Sequence, residues 1–280
     1  MTLTAPLIEQ LTGWTPVRLE RVEGGSICRC YRAIGPAGQR AFVKTHDTDH
    51  PGLFDAEARS LRWLASAAAA HVPDVLAVDD YGIALTYIDE EEPTPARAEQ
   101  FGRDLAALHH AGAEVFGARW PGFAGPLPMP NDETDDWPTF LARKRIEPLL
   151  SHALASGNLP DANPVEHVIA RIQWLVDGSE SPSRCHGDLW YGNVIFTGTS
   201  AAIVDPSAYG GHREADLAML CLFSAPHLNR ILAGYHDAYP LLDGWRDRLG
   251  VHQLVPLLAH TALFGGDYGR QTLAMARRYA

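Results

Sequence analysis

The segment His186-Gly187-Asp188-Leu189-Trp190-Tyr191-Gly192-Asn193 sets a carboxylate and a carboxamide five residues apart on one short loop. An aspartate in that position can accept the proton of an attacking hydroxyl. An asparagine five residues on can bind magnesium from the other side of the loop, so both groups serve the same phosphoryl oxygens. His186 braces the loop rather than doing chemistry. A polar turn is the plain alternative, but His186, Asp188, Leu189 and Asn193 all match the H-x-D-L-x-x-x-N pattern, which favours phosphoryl transfer.

Three weaker signals gain weight beside that loop. Asp205 ends the short apolar run Ala201-Ala202-Ile203-Val204, twelve residues past Asn193, with Thr197-Gly198-Thr199 as the intervening turn. It stands where a kinase has its second magnesium-binding carboxylate, although an Asp before Pro206 is also a routine turn former. Gly24-Gly25-Ser26 can fold over phosphates with its backbone N–H groups. It matches neither GxGxxG nor a Walker A loop, and a plain hairpin remains open. Lys44 closes Phe42-Val43-Lys44, much like the strand lysine that holds nucleotide phosphates; alone it reads as a solvated edge charge. Glu57 sits on an apolar helical stripe, four residues from both Leu53 and Leu61. A carboxylate buried there needs a cation, and Lys44 supplies one, unless the stripe edge is simply wet.

These groups need a frame. Alternation and turn signals predict strands over 17–22, 27–34, 41–44, 75–78 and 83–88, with one helix over 53–69. After an acidic run over 89–92 the pattern becomes helical, with helices expected over 96–110, 137–155, 164–176, 214–223, 230–239 and 251–264. The Gly- and Pro-rich stretch 117–131 reads as a loop. The expected fold is α+β and bilobal. A small sheet lobe over 1–88 holds nucleotide, a larger helical lobe over 89–280 holds catalysis and substrate, and the backbone near Tyr87 and Ile88 at the hinge takes the adenine edge.

Composition narrows the classes. With 280 residues, 46% hydrophobic and 20% charged, the chain can bury a core without disulfides or metals. Its 23 Lys and Arg against 34 Asp and Glu give a net charge of -11, and no basic cluster exceeds pieces such as Arg143-Lys144-Arg145. Nucleic acid is therefore not an expected partner. The acidic balance suits a cationic small molecule, or simply solubility. No signal peptide or membrane-length apolar run is present, so a cytoplasmic location is expected, with no membrane partner and a monomeric state. Cys28, Cys30, Cys185 and Cys221 form no CxxC pair. Cys28, beside the glycine-rich loop, reads first as a half-buried strand cysteine and second as an oxidisable thiolate. His109 and His110 end a helix and are expected at the surface or as caps.

The sequence resembles the fructosamine kinase (ketosamine 3-kinase) family, within the protein-kinase-like and aminoglycoside-phosphotransferase-like group. The resemblance rests on Gly24-Gly25-Ser26-Ile27, Phe42-Val43-Lys44, Phe54-Asp55-Ala56-Glu57-Ala58, Pro130-Asn131, Asp135-Asp136-Trp137, His186-Gly187-Asp188-Leu189-Trp190, Asp205-Pro206, Arg213-Glu214-Ala215-Asp216-Leu217-Ala218 and Phe264-Gly265-Gly266. The Trp after Asp188-Leu189 separates it from aminoglycoside and choline kinases, which more often resemble HGDxHxGN there. The resemblance implies ATP with magnesium and a ketosamine, free or on a glycated protein lysine, phosphorylated on its C3 hydroxyl. Lys44, held by Glu57, would position the phosphates, Asn193 and Asp205 would bind magnesium, and Asp188 would be the base. Trp190 is a candidate wall of the acceptor pocket. Asp216 is expected to cap the catalytic-loop backbone, with substrate contact as the alternative. The chain departs from the family at His212, where an acid usually precedes Arg-Glu, and at Cys28, where Asn is more usual. Two rivals stand: a phosphotransferase for an aminoglycoside- or choline-like cation, and a nucleotide-binding scaffold without turnover.

Overall fold

The computed structural model describes residues 5–22, 28–46, 50–176 and 178–280. Gly24, Gly25 and Ser26, expected over the phosphates, lie outside the described residues. Helix α1 (Ala5–Thr12) leads into β1 (Arg18–Val22), β2 (Arg29–Ile34) and β3 (Arg40–Thr45). Helix α2 (Leu53–Ala65) precedes β4 (Val75–Val78) and β5 (Gly82–Thr86). The strands form one five-stranded antiparallel sheet in the order β1-β2-β3-β5-β4.

Period-two alternation divides these strands between two clusters. Val43 and Ala84 face each other across β3 and β5 and join Ala33 and Ala41 against Ile8 and Leu11 of α1. The alternate residues Ile83 and Leu85 join Phe54, Ala58, Leu61 and Leu64 of α2. Lys44 pairs with Ile83, so it belongs to the α2 side of the sheet, where Glu57 lies on the buried stripe of that helix.

Beyond β5 the chain is mainly helical. It runs through α3 (Pro95–His110), the hairpin of β6 (Gly122–Ala124) and β7 (Leu127–Met129), α4 (Trp137–Phe140), a π-helical segment (Leu141–Ile146), α5 (Glu147–Ala155), α6 (Asn163–Ala170) and α7 (Ile172–Leu175). A set of short strands follows: β8 (Ser183–Cys185), β9 (Val194–Thr197), β10 (Ser200–Ile203) and β11 (Tyr209–Gly211). Helices α8 (Glu214–Leu222), α9 (Leu228–Ala238), α10 (Trp245–Phe264) and α11 (Tyr268–Arg277) complete the chain. Helices α3 and α9 touch backbone to backbone. A Cβ on Gly102 would lie 2.0 Å from the Ile231 carbonyl oxygen, and one on Gly234 would lie 2.1 Å from that of Glu99. Among the described residues no helix is long and apolar enough to cross a membrane.

Several elements differ from the sequence expectation. The helix expected over 53–69 ends at Ala65, because Ala68 takes φ +52, which a right-handed helix cannot pass through. The helix expected over 137–155 carries the π-helical segment in its middle, and the one over 164–176 divides at Arg171. The expected loop over 117–131 contains the β6–β7 hairpin. Helices α1 and α11 were not expected.

Candidate active site

Strand β8 delivers the chain into the loop that carries His186 and Asp188, and a 3-10 turn (Tyr191–Asn193) closes it. Gly187 has φ +83, and a Cβ there would meet the Ser207 carbonyl oxygen at 2.1 Å, so the loop presses against the segment after Asp205 and admits only glycine. The His186 carbonyl accepts the Ser207 N–H at 3.0 Å. His186 Nε2 lies 2.9 Å from the Val204 carbonyl oxygen and donates to it, which leaves Nδ1 to accept the Asp188 N–H at 3.3 Å. His186 is thus a wholly buried brace between the two acidic segments.

Asp216, at the start of α8, accepts the backbone N–H groups of His186 at 2.7 Å and Gly187 at 2.9 Å. It is 1% exposed and caps these two loop N–H groups. His109 corrects an expectation. It is 1% exposed, not a surface residue, and its Nε2 lies 3.1 Å from Asp216 Oδ2 while Nδ1 lies 2.7 Å from the Tyr235 hydroxyl. The position could have been found from sequence, since 109 falls four residues after the buried Leu105 on the α3 core stripe.

Asn193 donates Nδ2 to the Asp188 carbonyl at 2.8 Å and to Asp188 Oδ2 at 3.1 Å. Among the described residues no hydrogen bond engages its Oδ1. The β9–β10 hairpin returns the chain so that Val204 N–H donates to the Asn193 carbonyl at 3.0 Å, and Asp205 follows with φ +58. A left-handed non-glycine residue is strained, and such strain concentrates at functional sites. Asp205 Oδ1 lies 2.7 Å from Lys44 Nζ, which also donates to Glu57 Oε1 at 2.8 Å. Lys44 and Glu57 are buried, whereas half of the Asp205 side chain is open. The geometry therefore joins Lys44 to Glu57 and Asp205, and Asp188 to Asn193, with the backbone tying the second pair to the first. An Asn Oδ1 and an open carboxylate are hard oxygen donors of the kind magnesium takes, so Asn193 and Asp205 fit that ion.

Charge follows from this packing. Burial, helped by the negative field of Asp205, pushes the Asp188 carboxyl up to about 7, with the Asn193 hydrogen bond pulling the other way. Burial likewise pushes Glu57 up to about 7 against the pull of Lys44. Burial opposes the Lys44 charge, but Asp205 and Glu57 outweigh it and hold the ammonium above the ordinary lysine value. For Asp205 burial raises and Lys44 lowers, and the net direction is down. One ammonium between two carboxylates leaves an excess negative charge, which a cation can neutralise.

Other residues quoted from the sequence support the loop from outside it. Arg145 is buried and donates to the Pro130 carbonyl at 2.8 Å and to Asn131 Oδ1 at 2.6 Å. Its guanidinium lies 4.1 Å from the centre of the Tyr209 ring on β11. Trp120 Nε1–H donates to Ser60 Oγ on α2 at 3.2 Å, and the same Oγ accepts the Ala208 N–H at 3.2 Å. The stretch over 117–131 thereby ties the helix of Glu57 to the segment after Asp205. Arg213 pairs with Glu180 and Glu214 with Arg248, both largely out of solvent. His212 is buried and stacked on His252 at 5.6 Å, so this departure from the family lies in packing.

Cys28 is half-buried against the core that includes α2, and burial pushes its thiol up to about 12. The thiolate reading is corrected accordingly: a thiol in this setting stays protonated at neutral pH. We expect a charged alkylating reagent at pH 7 to modify Cys28 at least ten-fold more slowly in the folded protein than in denaturant, measured by mass spectrometry of the peptide.

The sheet, the helical part and the loop between them define a kinase-like phosphotransferase fold. An ADP-bound aminoglycoside phosphotransferase shares it with a TM-score of 0.65 at 15% identity, covering 99% of each chain. The family profile of the fructosamine kinases matches residues 2–279, and the chain belongs to that family. A probable ketoamine kinase of Thermus thermophilus is 37% identical over 247 residues, 88% of this chain and 88% of its own. The crystal structure of a protein assigned as a fructosamine-3-kinase from Thermobifida fusca gives a TM-score of 0.93 at 43% identity, covering 99% of this chain and 98% of that one.

Proposed function

We propose that this chain is an ATP- and magnesium-dependent ketosamine 3-kinase, cytoplasmic and monomeric, with a nucleotide lobe over 1–88 and a catalytic lobe over 89–280. The observation that carries the reading is the Asp188–Asn193 pair beside Lys44, Glu57 and Asp205, in a member of the fructosamine kinase family. Lys44 orients the phosphates of ATP, and Glu57 fixes the direction of its ammonium. The backbone of Tyr87 and Ile88 meets the adenine edge, while the Tyr87 ring stays occupied between Arg32 and Arg40, with guanidinium carbons 4.9 and 5.3 Å from its centre. Asn193 Oδ1 and Asp205 would hold magnesium, which would supply positive charge to the transferring phosphoryl group. Asp188 takes the proton of the acceptor hydroxyl.

Trp190 gives the acceptor its wall. Its indole lies over Gly192, where a Cβ would come 2.3 Å from the ring, and it remains 37% exposed next to Asp188. A sugar can stack there while one hydroxyl reaches the carboxylate. A phosphate on C3 lies β to C1 and leaves far more readily than hydroxide: loss of a C1 proton gives the enaminol, phosphate departs from C3, and water hydrolyses the resulting imine to free the amine. The substrate is a small ketosamine or a glycated protein lysine.

The test is a panel of fructose-, ribulose- and erythrulose-derived lysine adducts beside kanamycin and choline. We expect ATP consumption with one or more adducts and none with the other two. Turnover of kanamycin or choline without any adduct would establish the rival phosphotransferase, and no turnover of any acceptor would favour the scaffold.

A further inference from the structure

The basic side chains of this protein are almost all arginine. Of its 23 Lys and Arg residues, only Lys44 and Lys144 are lysine. The difference is chemical. The carbonyl of a reducing sugar is attacked by a neutral amine, and a lysine can give up its proton whereas a guanidinium stays protonated. Apart from its α-amine, the chain therefore offers an aldose two primary amines.

The two stand in opposite surroundings. Lys44 is 6% exposed and lies between Glu57 and Asp205, at 2.8 and 2.7 Å. These carboxylates hold its ammonium above the ordinary lysine value, so the neutral amine is scarce. Lys144 lies in the π-helical segment, and its Nζ donates to Asp132 Oδ2 at 3.0 Å. That carboxylate is 79% exposed, which places the pair at the surface. The lysine holds Asp132 below the ordinary carboxylate value, so a base stands ionised beside the amine at neutral pH. The adjacent Arg145 is buried and holds Pro130 and Asn131, so the attachment of this stretch does not rest on Lys144 alone.

We infer that Lys144 is the lysine of this chain that aldoses modify, with Asp132 promoting the step, and that Lys44 is screened from them. Neutral Nζ adds to the aldehyde carbon C1, water leaves, and the imine takes a proton on nitrogen. Asp132 then accepts the proton of C2, and the electron pair of that bond forms the C1–C2 double bond of an enaminol. C1 regains a proton as the C2 hydroxyl loses one. The amine and aldose have become a ketosamine on Nζ and one water, with no oxidant or reductant. The product nitrogen is still basic and keeps a cation beside Asp132. Sugar thus collects away from the amine that the proposed chemistry needs, and a kinase built this way keeps working among the sugars from which its proposed acceptors form.

The experiment incubates the folded protein with ribose near neutral pH, with a chelator and aminoguanidine present to suppress dicarbonyls, and locates adducts by peptide mass spectrometry. Urea-denatured protein, Lys144→Arg and Asp132→Asn run beside it, and a thermal melt confirms that each variant is folded. In the folded protein a ketosamine is expected on Lys144. Lys44 should be modified at least about ten-fold more slowly than in urea, since each unit by which a lysine is held up costs a factor of ten in free amine. Lys144→Arg should gain no lysine adduct and should keep its binding of a fluorescent nucleotide after incubation. Asp132→Asn should lower the ketosamine yield more than the yield of imine trapped with cyanoborohydride. Modification of Lys44 as fast in the folded protein as in urea overturns the screening. A Lys144 that reacts in urea but not in the folded protein overturns the site, and equal changes of both yields in Asp132→Asn overturn the part given to that carboxylate. None of these readouts uses turnover, so their failure and the failure of the ketosamine reading are told apart.

Discussion

Asp188→Asn should lower kcat by roughly 10²–10⁴-fold, the range for loss of a general base, with little change in the thermal midpoint. The amide is nearly isosteric and keeps an oxygen that can accept Asn193 Nδ2–H, and the backbone bonds of the loop to Asp216 do not involve the Asp188 side chain. Fold and nucleotide binding should therefore survive, and fluorescent nucleotide titration checks this separately from turnover. The pH profile gives a second readout. A base acts when deprotonated, and burial with the field of Asp205 pushes this carboxyl up to about 7. Activity of the wild type should therefore climb with rising pH through the region approaching neutrality. Raising magnesium should move that limb to lower pH, because a cation at Asp205 cancels part of the field that raises Asp188. Asp188→Asn should lose the limb altogether. Full turnover by the folded variant at neutral pH would remove Asp188 from the base role.

The parts of this architecture legible in the sequence are those in which one local pattern determines one local structure. The strand alternation around Phe42-Val43-Lys44 and the apolar stripe of α2 each place a side chain on a known face, so the sequence alone pairs Lys44 with Glu57. The H-x-D-L-x-x-x-N spacing did the same for Asp188 and Asn193. What escaped depends on tertiary partners. His109 sits beside His110 at a helix end, and only its phase with Leu105 separates the buried ring from the exposed one. Strands β6 and β7 have three residues each, too short to show a period, and β6 is held from a distant segment by Ser207, whose hydroxyl donates to the Phe123 carbonyl at 2.7 Å. The π-helical segment within 137–155 leaves no periodic signature because its neighbours are ordinary helix on both sides.

Lys44→Ala and Glu57→Ala should each reduce kcat/KM by on the order of 10²-fold, about 3 kcal/mol of transition-state stabilisation, and the double variant should lose little more than either. The coupling energy of residues in one ion-pair network is of order 0.5–3 kcal/mol, and this pair sits at the upper end of that range because both partners are buried and 2.8 Å apart. The two single variants should nevertheless differ in their metal dependence. Lys44 is shared between Glu57 and Asp205, at 2.8 and 2.7 Å. Removing Glu57 leaves Asp205 as the remaining carboxylate partner for the ammonium, which then competes with magnesium for the same oxygen. Glu57→Ala should consequently need more magnesium for half-maximal activity than the wild type. Lys44→Ala removes the competitor and should need no more than the wild type. In the double variant the extra requirement should vanish along with the lysine that causes it. Independent, multiplicative losses across the cycle would reject the pairing, and equal magnesium requirements in all four proteins would show that Lys44 does not contend for Asp205.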